Sequence, residues 1–286
     1  MQQRRIADRQ VSAIGLGAMP MSTGGHMPDE RQSIRTIHAA LDAGVTLIDT
    51  ADAYSPDREP GHNERLVAKG LASWSGDASS VLVATKGGHV RTANGGWGVD
   101  GTPAHLRAAC EASLRTLGVD VIGLYQHHRP DPDVPYEETM GALAALLDEG
   151  KIALAGVSNA NPDQIRIAID VLGGRLASVQ NQHSPAFRSS QPELALCDEL
   201  EIAFLPWSPL GGISRAGDLG TEGTQDAFGE VARERGVSPQ QVALVWALTR
   251  SPVVVPIPGA SRPESIVDSV GAADLELSPE ELDRLG

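Results

Sequence analysis

Eight short apolar runs recur along the chain: IGLGAM (14–19), TLIDTA (46–51), VLVATK (81–86), VIGLYQHH (121–128), IALAGVSN (152–159), ASVQNQ (177–182), IAFLPW (202–207) and PVVVPIP (252–258). Each is bounded by turn residues, as expected of parallel strands buried on both faces. Between them the spacing is helical. Ile34, Ile37, Leu41 and Val45 share one stripe, and Met140, Leu143 and Leu147 another. Gly44, Gly118 and Gly150 stand where helix C-caps belong. Pro103, Pro162, Pro192 and Pro263 stand near helix first turns, where a missing N–H costs nothing. A strand followed by a helix, eight times over, predicts an α/β fold: a closed (β/α)8 TIM barrel with a short N-terminal hairpin at 4–12, turning at Asp8 and Arg9. A doubly wound open sheet is the alternative, but the first strand–helix turn lacks GxGxxG. No linker or low-complexity segment appears, so residues 1–286 are expected to form one domain, a usual size for such barrels.

Composition narrows the partners. A formal net charge of −14 and a pI near 4.9 repel phosphate backbones, which argues against nucleic acid. Cys110 and Cys197 lie far apart and offer neither a disulfide framework nor a metal pair. The first residues lack the apolar core of a signal peptide, and no run reaches the roughly 18 apolar residues of a membrane helix. The expectation is a soluble, cytoplasmic protein. Its oligomeric state is not written in the sequence.

In a barrel, functional groups gather at the C-terminal ends of the strands. There the chain carries Asp49, then Tyr54 in the following loop, Lys86, the pair His127 and His128, Ser158 and Asn159, Gln180, and Trp207 with Ser208. A free tyrosine, with a pKa of about 10, is a weak acid at neutral pH. An adjacent ammonium lowers that value, and Lys86 is placed to provide one. A buried lysine needs a carboxylate partner, which Asp49 offers. A histidine then orients a substrate oxygen toward the phenol.

These residues match a family. DAGVTLIDTADAY resembles the aldo-keto reductase signature, with Asp and Tyr five positions apart. VLVATK resembles its lysine strand, VDVIGLYQHHRP the strand ending in its histidine, and GVSN its Ser-Asn pair. The resemblance runs from the hairpin to PIPGASRPESI. It implies NAD(P)H-dependent reduction of aldehydes and ketones by a tetrad of Asp49, Tyr54, Lys86 and His128. It selects His128 over His127, because the family's histidine stands three residues after the Tyr of LY. Adjacent strand residues face opposite sides, so His127 is expected to pack outward toward a helix.

The resemblance also implies that Ser158, Asn159 and Gln180 hold the nicotinamide carboxamide and that Trp207 stacks on its ring. In SPLGG, Ser208, Leu210 and Gly211 belong to a stretch whose bare backbone can approach a pyrophosphate. Gly259, Ser261 and Arg262 open the last long helix. Ser261 and Glu264 have capping-box spacing, and Arg262 is placed to clamp a 2′-phosphate, which favours NADPH with NADH as the alternative. The chain departs from many members in carrying Gly259 and Ser265 where they carry Lys and Arg. Met21, Trp97 and Phe187 are expected as substrate walls, Trp97 from the Gly-rich loop HVRTANGGWGVDG. Arg91 and Arg129 are either surface residues or contacts for an acidic substrate. A Schiff-base aldolase using Lys86, a metal-dependent hydrolase and a nucleotide-binding redox sensor are the competing readings. No HxH or HExxH pair supports a metal.

Overall fold

The computed structural model describes residues 1–23, 27–56, 60–92, 96–212, 215–220 and 226–286. Strands β1 (Gln3–Ile6) and β2 (Arg9–Ser12) form the N-terminal hairpin, followed by β3 (Leu16–Gly17). Helix α1 (Glu30–Asp42) leads to β4 (Leu47–Asp49), and α2 (His62–Ser73) to β5 (Leu82–Gly87). A small antiparallel pair, β6 (His89–Arg91) and β7 (Trp97–Val99), precedes α3 (Pro103–Leu117) and β8 (Ile122–His127). Then come α4 (Tyr136–Asp148), β9 (Ile152–Ser158), α5 (Pro162–Val171), β10 (Leu176–Gln180), α6 (Gln191–Glu199) and β11 (Ala203–Phe204). Four helices complete the chain: α7 (Asp226–Arg235), α8 (Pro239–Thr249), α9 (Pro263–Gly271) and α10 (Pro279–Leu285).

Seven strands make one curled parallel sheet in the order β11-β10-β9-β8-β5-β4-β3, with helices outside. The eighth expected run, 252–258, is not a regular strand, yet it closes the ring. Phe204 bridges Val254 on one side and Gly17 bridges Gly259 on the other. The cause is proline. Pro256 and Pro258 have no N–H to give toward β3, so on that side the segment mainly accepts, while Val255 and Ile257 donate to Phe204 O and Pro206 O on the other. Gly15 N–H donates to Pro256 O and Gly17 N–H to Pro258 O, both at 2.9 Å. Gly17 is needed there, because a Cβ would stand 2.9 Å from Ile257 O. The barrel expectation is met, with an irregular eighth member.

Alternation along the strands fills the interior. Leu47, Leu82, Leu124, Leu205 and Val255 form one cluster with Ile6 and Val11 of the hairpin, which closes one end. The hairpin turn falls at Ala7 and Asp8, one residue earlier than expected, with Ala7 at φ +51° and Ile6 opposite Arg9. Outside, Asn161 with Gln164 and Ser278 with Glu281 close capping boxes at α5 and α10. Each such cap is worth about 0.5–2 kcal/mol. The expected Ser261–Glu264 box does not form. Pro263 holds residue 262 extended (φ −137°, ψ 143°), so Arg262 becomes the N-cap, without a side-chain cap bond. Among the described residues, no helix is long and apolar enough to cross a membrane.

Candidate active site

The loops at the C-terminal ends of the strands surround a cavity of about 340 Å³. Asp49 ends β4 and Lys86 lies next to the last residue of β5. Leu82, Ala84 and Lys86 share one face of that strand, so the leucine and alanine fill the barrel and the lysine continues upward. Lys86 is completely buried. Its Nζ donates to Asp49 Oδ1 at 2.9 Å, to Asp49 Oδ2 at 2.7 Å and to Thr50 O at 2.8 Å, with Tyr54 Oη at 3.5 Å. Removing an ammonium from water costs several kcal/mol, and this full set of acceptors offsets that cost. Asp49 is braced further by Gln180 Nε2 at 2.8 Å and Gln126 Nε2 at 3.4 Å.

Burial acts to lower the Lys86 pKa, but Asp49 and Tyr54 outweigh it and the net direction is up. Burial pushes the Tyr54 phenol up; Lys86 pulls it back and Asp49 pushes it up again. The net direction is therefore upward, opposite to the lowering expected from the lysine alone. Tyr54 thus stays protonated at neutral pH.

His128 follows β8 and meets the Tyr54 ring edge to face, with centroids 5.5 Å apart. Burial and the Lys86 charge hold it well below the usual imidazole range, so it is neutral. His127 turns away, as expected, and lies 5.7 Å from the Tyr136 ring on α4. Asp49, Tyr54 and His128 line the cavity together with Ser158, Asn159, Gln180, Trp207, Ser208, Leu210 and Gly259.

The amide groups are partly engaged. Asn159 Nδ2 donates to His128 O and to Ser158 Oγ, both at 3.0 Å, and Gln180 Nε2 donates to Asp49. Their carbonyl oxygens are left over as acceptors. Asn159 (φ +58°) and Ser208 (φ +51°) both sit in the left-handed region. Such conformations cost about 1–3 kcal/mol and cluster at functional sites. Gly211 and Gly212 follow at φ +92° and +110°, in space open enough for a ligand to approach the backbone.

Several expected residues stand elsewhere. Met21 is not a cavity wall. It closes a three-residue turn, Met19–Met21, that buries it with Leu16, Ile37 and Leu66, while Met19 and Pro20 face the cavity instead. Phe187 does not reach the cavity either. Mutual hydrogen bonds between the Ser184 and Phe187 backbones fold it into a turn that leaves it 37% exposed. Gly211, Ser261 and Arg262 lie beside the cavity, and Arg262 is exposed with Nη2 3.4 Å from Ser265 Oγ.

Trp97 does line the cavity, but from the β6–β7 hairpin rather than from a plain loop; Ala93–Gly95 of that stretch lie outside the described residues. The hairpin also supplies His89, which stacks on Trp97 at 4.4 Å and meets His128 at 4.8 Å. Sequence reasoning missed His89 because glycine-rich composition hides the pairing. It missed Gln126 because a strand-interior glutamine reads as filler; the signal was its face, shared with Leu124 and His128.

The Aldo/keto reductase family model matches residues 13–286. An uncharacterised oxidoreductase of Schizosaccharomyces pombe is 35% identical over 279 residues, covering 96% of this chain and 86% of its own. Among solved structures, the glycerol dehydrogenase of Gluconobacter oxydans superposes with a TM-score of 0.84 at 30% identity, over 99% of this chain and 94% of that one. An aldo/keto reductase of Klebsiella pneumoniae, in complex with NADP and acetate, gives a TM-score of 0.80 at 30% identity, over 96% and 90%. The family match spans nearly the whole chain and the neighbours share its barrel: this protein belongs to the aldo/keto reductase family, whose members carry out nicotinamide-dependent oxidoreduction of carbonyl and alcohol groups.

Proposed function

We propose that this chain reduces small aldehydes and ketones with NADPH, and that Tyr54 donates the proton to the carbonyl oxygen. The observation that carries the reading is the buried line Asp49–Lys86–Tyr54, which reaches the cavity beside a neutral His128. Lys86 stabilises negative charge on the phenol oxygen as the proton leaves. Asp49 keeps Lys86 charged and in place. His128, uncharged, donates a hydrogen bond to the same substrate oxygen without competing as an acid. Lys86 held as an ammonium is a poor nucleophile, which counts against the Schiff-base aldolase alternative.

The residues present fit a nicotinamide cofactor. The amide oxygens left over on Asn159 and Gln180 suit the N–H groups of a carboxamide. Trp207 offers a ring in the cavity wall, and Ser208, Leu210, Gly211 and Gly212 offer open backbone for a pyrophosphate. Gly259, Ser261 and Arg262, at the start of α9, bring a helix N-terminus and a guanidinium toward a 2′-phosphate. The NADP complex of the Klebsiella relative supports that preference; Gly259 and Ser265 in place of Lys and Arg weaken it. When bound, the reduced cofactor supplies the hydride. The same reading takes residues 1–286 as one domain and the protein as cytoplasmic.

Fluorescence titration with NADPH and NADH, followed by an aldehyde panel, tests the proposal. Tyr54→Phe is expected to lower kcat by about 10²–10⁴-fold, with cofactor affinity unchanged. Wild-type turnover in that variant removes Tyr54 from the mechanism; binding of neither nucleotide removes the reductase reading altogether.

A further inference from the structure

The chain carries 37 acidic and 23 basic side chains. Arg107, Arg166, Arg175, Arg235 and Arg284 pair with carboxylates, while Arg9, Arg31, Arg35, Arg115 and Arg233 show no such pair among the described residues. One further unpaired arginine is set apart by its place on the cavity rim. Arg129, directly after His128, lines the cavity, is exposed, and among the described residues has no hydrogen bond or ion pair. Asp49 is the one acid among the described lining residues, and both its oxygens are held by Lys86. Beside it, Arg91 is already engaged: its Nη2 donates to Ser55 O at 3.0 Å and its guanidinium lies 3.6 Å over the Trp97 ring. His89 is held neutral, at about 4, by burial and then by the charges of Arg129 and Arg91. Arg129 and Arg91 therefore set two guanidinium groups near His89 at one edge of the mouth, and one of them is uncommitted.

Resting on the reductase reading, we propose that Arg129 determines specificity, and that the substrate is an aldehyde or ketone bearing one carboxylate remote from its carbonyl. With the carbonyl oxygen at Tyr54 and His128, the rest of the substrate extends past His89 and Trp97 toward the next residue of the same loop. A guanidinium pairs with a carboxylate through two parallel N–H bonds. One free cation matches one negative charge better than a dianionic phosphate. The Arg129 charge also offers an anion a partner in a molecule whose net charge otherwise repels it. Arg129 follows β8, on a different strand end from Ser208–Gly212 and the start of α9, while Asn159, proposed for the carboxamide, holds the carbonyl of the preceding His128.

The test compares 4-formylbenzoate with its methyl ester, at saturating NADPH, in the full chain and in Arg129→Ala and Arg129→Lys. The wild type is expected to favour the acid through KM. Arg129→Ala raises KM for the acid by about 10–100-fold, the size of a lost charge-assisted pair, with kcat little changed. Arg129→Lys restores part of this, because it keeps the charge and loses the fork. KM for the ester and for NADPH stays within about twofold, as expected of groups that touch neither. Equal responses of acid and ester, or an effect on NADPH alone, overturns the assignment. If the wild type reduces neither aldehyde, the reductase reading itself has failed and this inference falls with it.

Discussion

The two halves of the cavity mouth are built by different means. On the side of β4, β5 and β8, side chains hold one another: Lys86 has acceptors for all its protons, Asp49 is braced by two glutamines, and His128 packs on Tyr54. On the side of β11 and α9, the backbone does the work. Ser208, Gly211 and Gly212 lie at positive φ, prolines interrupt the closing segment, and Arg262 caps a helix with no side-chain bond. The first half is expensive to assemble and rigid once formed. The second leaves backbone groups open to a ligand that brings its own phosphates. On the proposed reading, geometry is fixed in advance where charge must be placed, and recognition is left to main chain where a large ligand would enter.

The sharpest way to break this comparison is Asp49→Asn. It strands a fully buried ammonium, so stability should fall by about 3–5 kcal/mol, read as a lower urea midpoint with an unchanged slope. A fall below about 1 kcal/mol, the surface-pair level, means that Lys86 is not held as described.

A smaller effect lies at the end of β8. His127 is held at about 4 against an ordinary 6.5, by burial. The unfolded chain therefore binds a proton there that the folded chain refuses between pH 6.5 and 4. The His127 contribution should be absent above pH 6.5, lower stability on acidification through that window by about 3 kcal/mol and level off below it, in addition to the fall from His89 and His128, which burial also holds low. In His127→Gln, thermal unfolding from pH 7 to 4 should lose that component; an unaltered pH profile assigns the acid sensitivity to other groups.

The smallest effect belongs to the backbone-built half. Arg262→Ala should raise KM for NADPH by about 10-fold, the value of one charge-assisted hydrogen bond, and leave KM for NADH unchanged. Parallel changes for the two nucleotides place Arg262 away from the 2′-phosphate.

Much of this was legible in the residue order because it depends on period and spacing. Apolar runs of strand length gave the parallel sheet, and the five-residue step from Asp49 to Tyr54 brought the acid and phenol to one strand end. What was hidden depends on tertiary direction. Met21 was misplaced because a three-residue turn has no period to say which of Met19, Pro20 and Met21 faces inward. His89 was hidden by a hairpin whose glycines resemble a loop. The net rise of the Tyr54 pKa was missed because burial, which outweighs the lysine, is a property of the packed whole. The eighth strand was expected although its prolines were in plain view. Pro252, Pro256 and Pro258 forbid a regular ladder but still allow a seam that mainly accepts from β3 and donates toward β11.

That seam gives the ring a polarity. Where 252–259 meets β3, the protons come mainly from the Gly15 and Gly17 amides, and Ala260 returns one to Gly17 O at 3.3 Å. Toward β11 the same segment donates, from Val255 to Phe204 O at 2.9 Å and from Ile257 to Pro206 O at 3.4 Å; toward β3, Pro256 and Pro258 have no proton to give. The closing segment therefore offers mostly acceptors to one neighbour and mostly donors to the other, and its one-sided seam runs to Gly259, in the wall of the cavity where a nucleotide is proposed to lie.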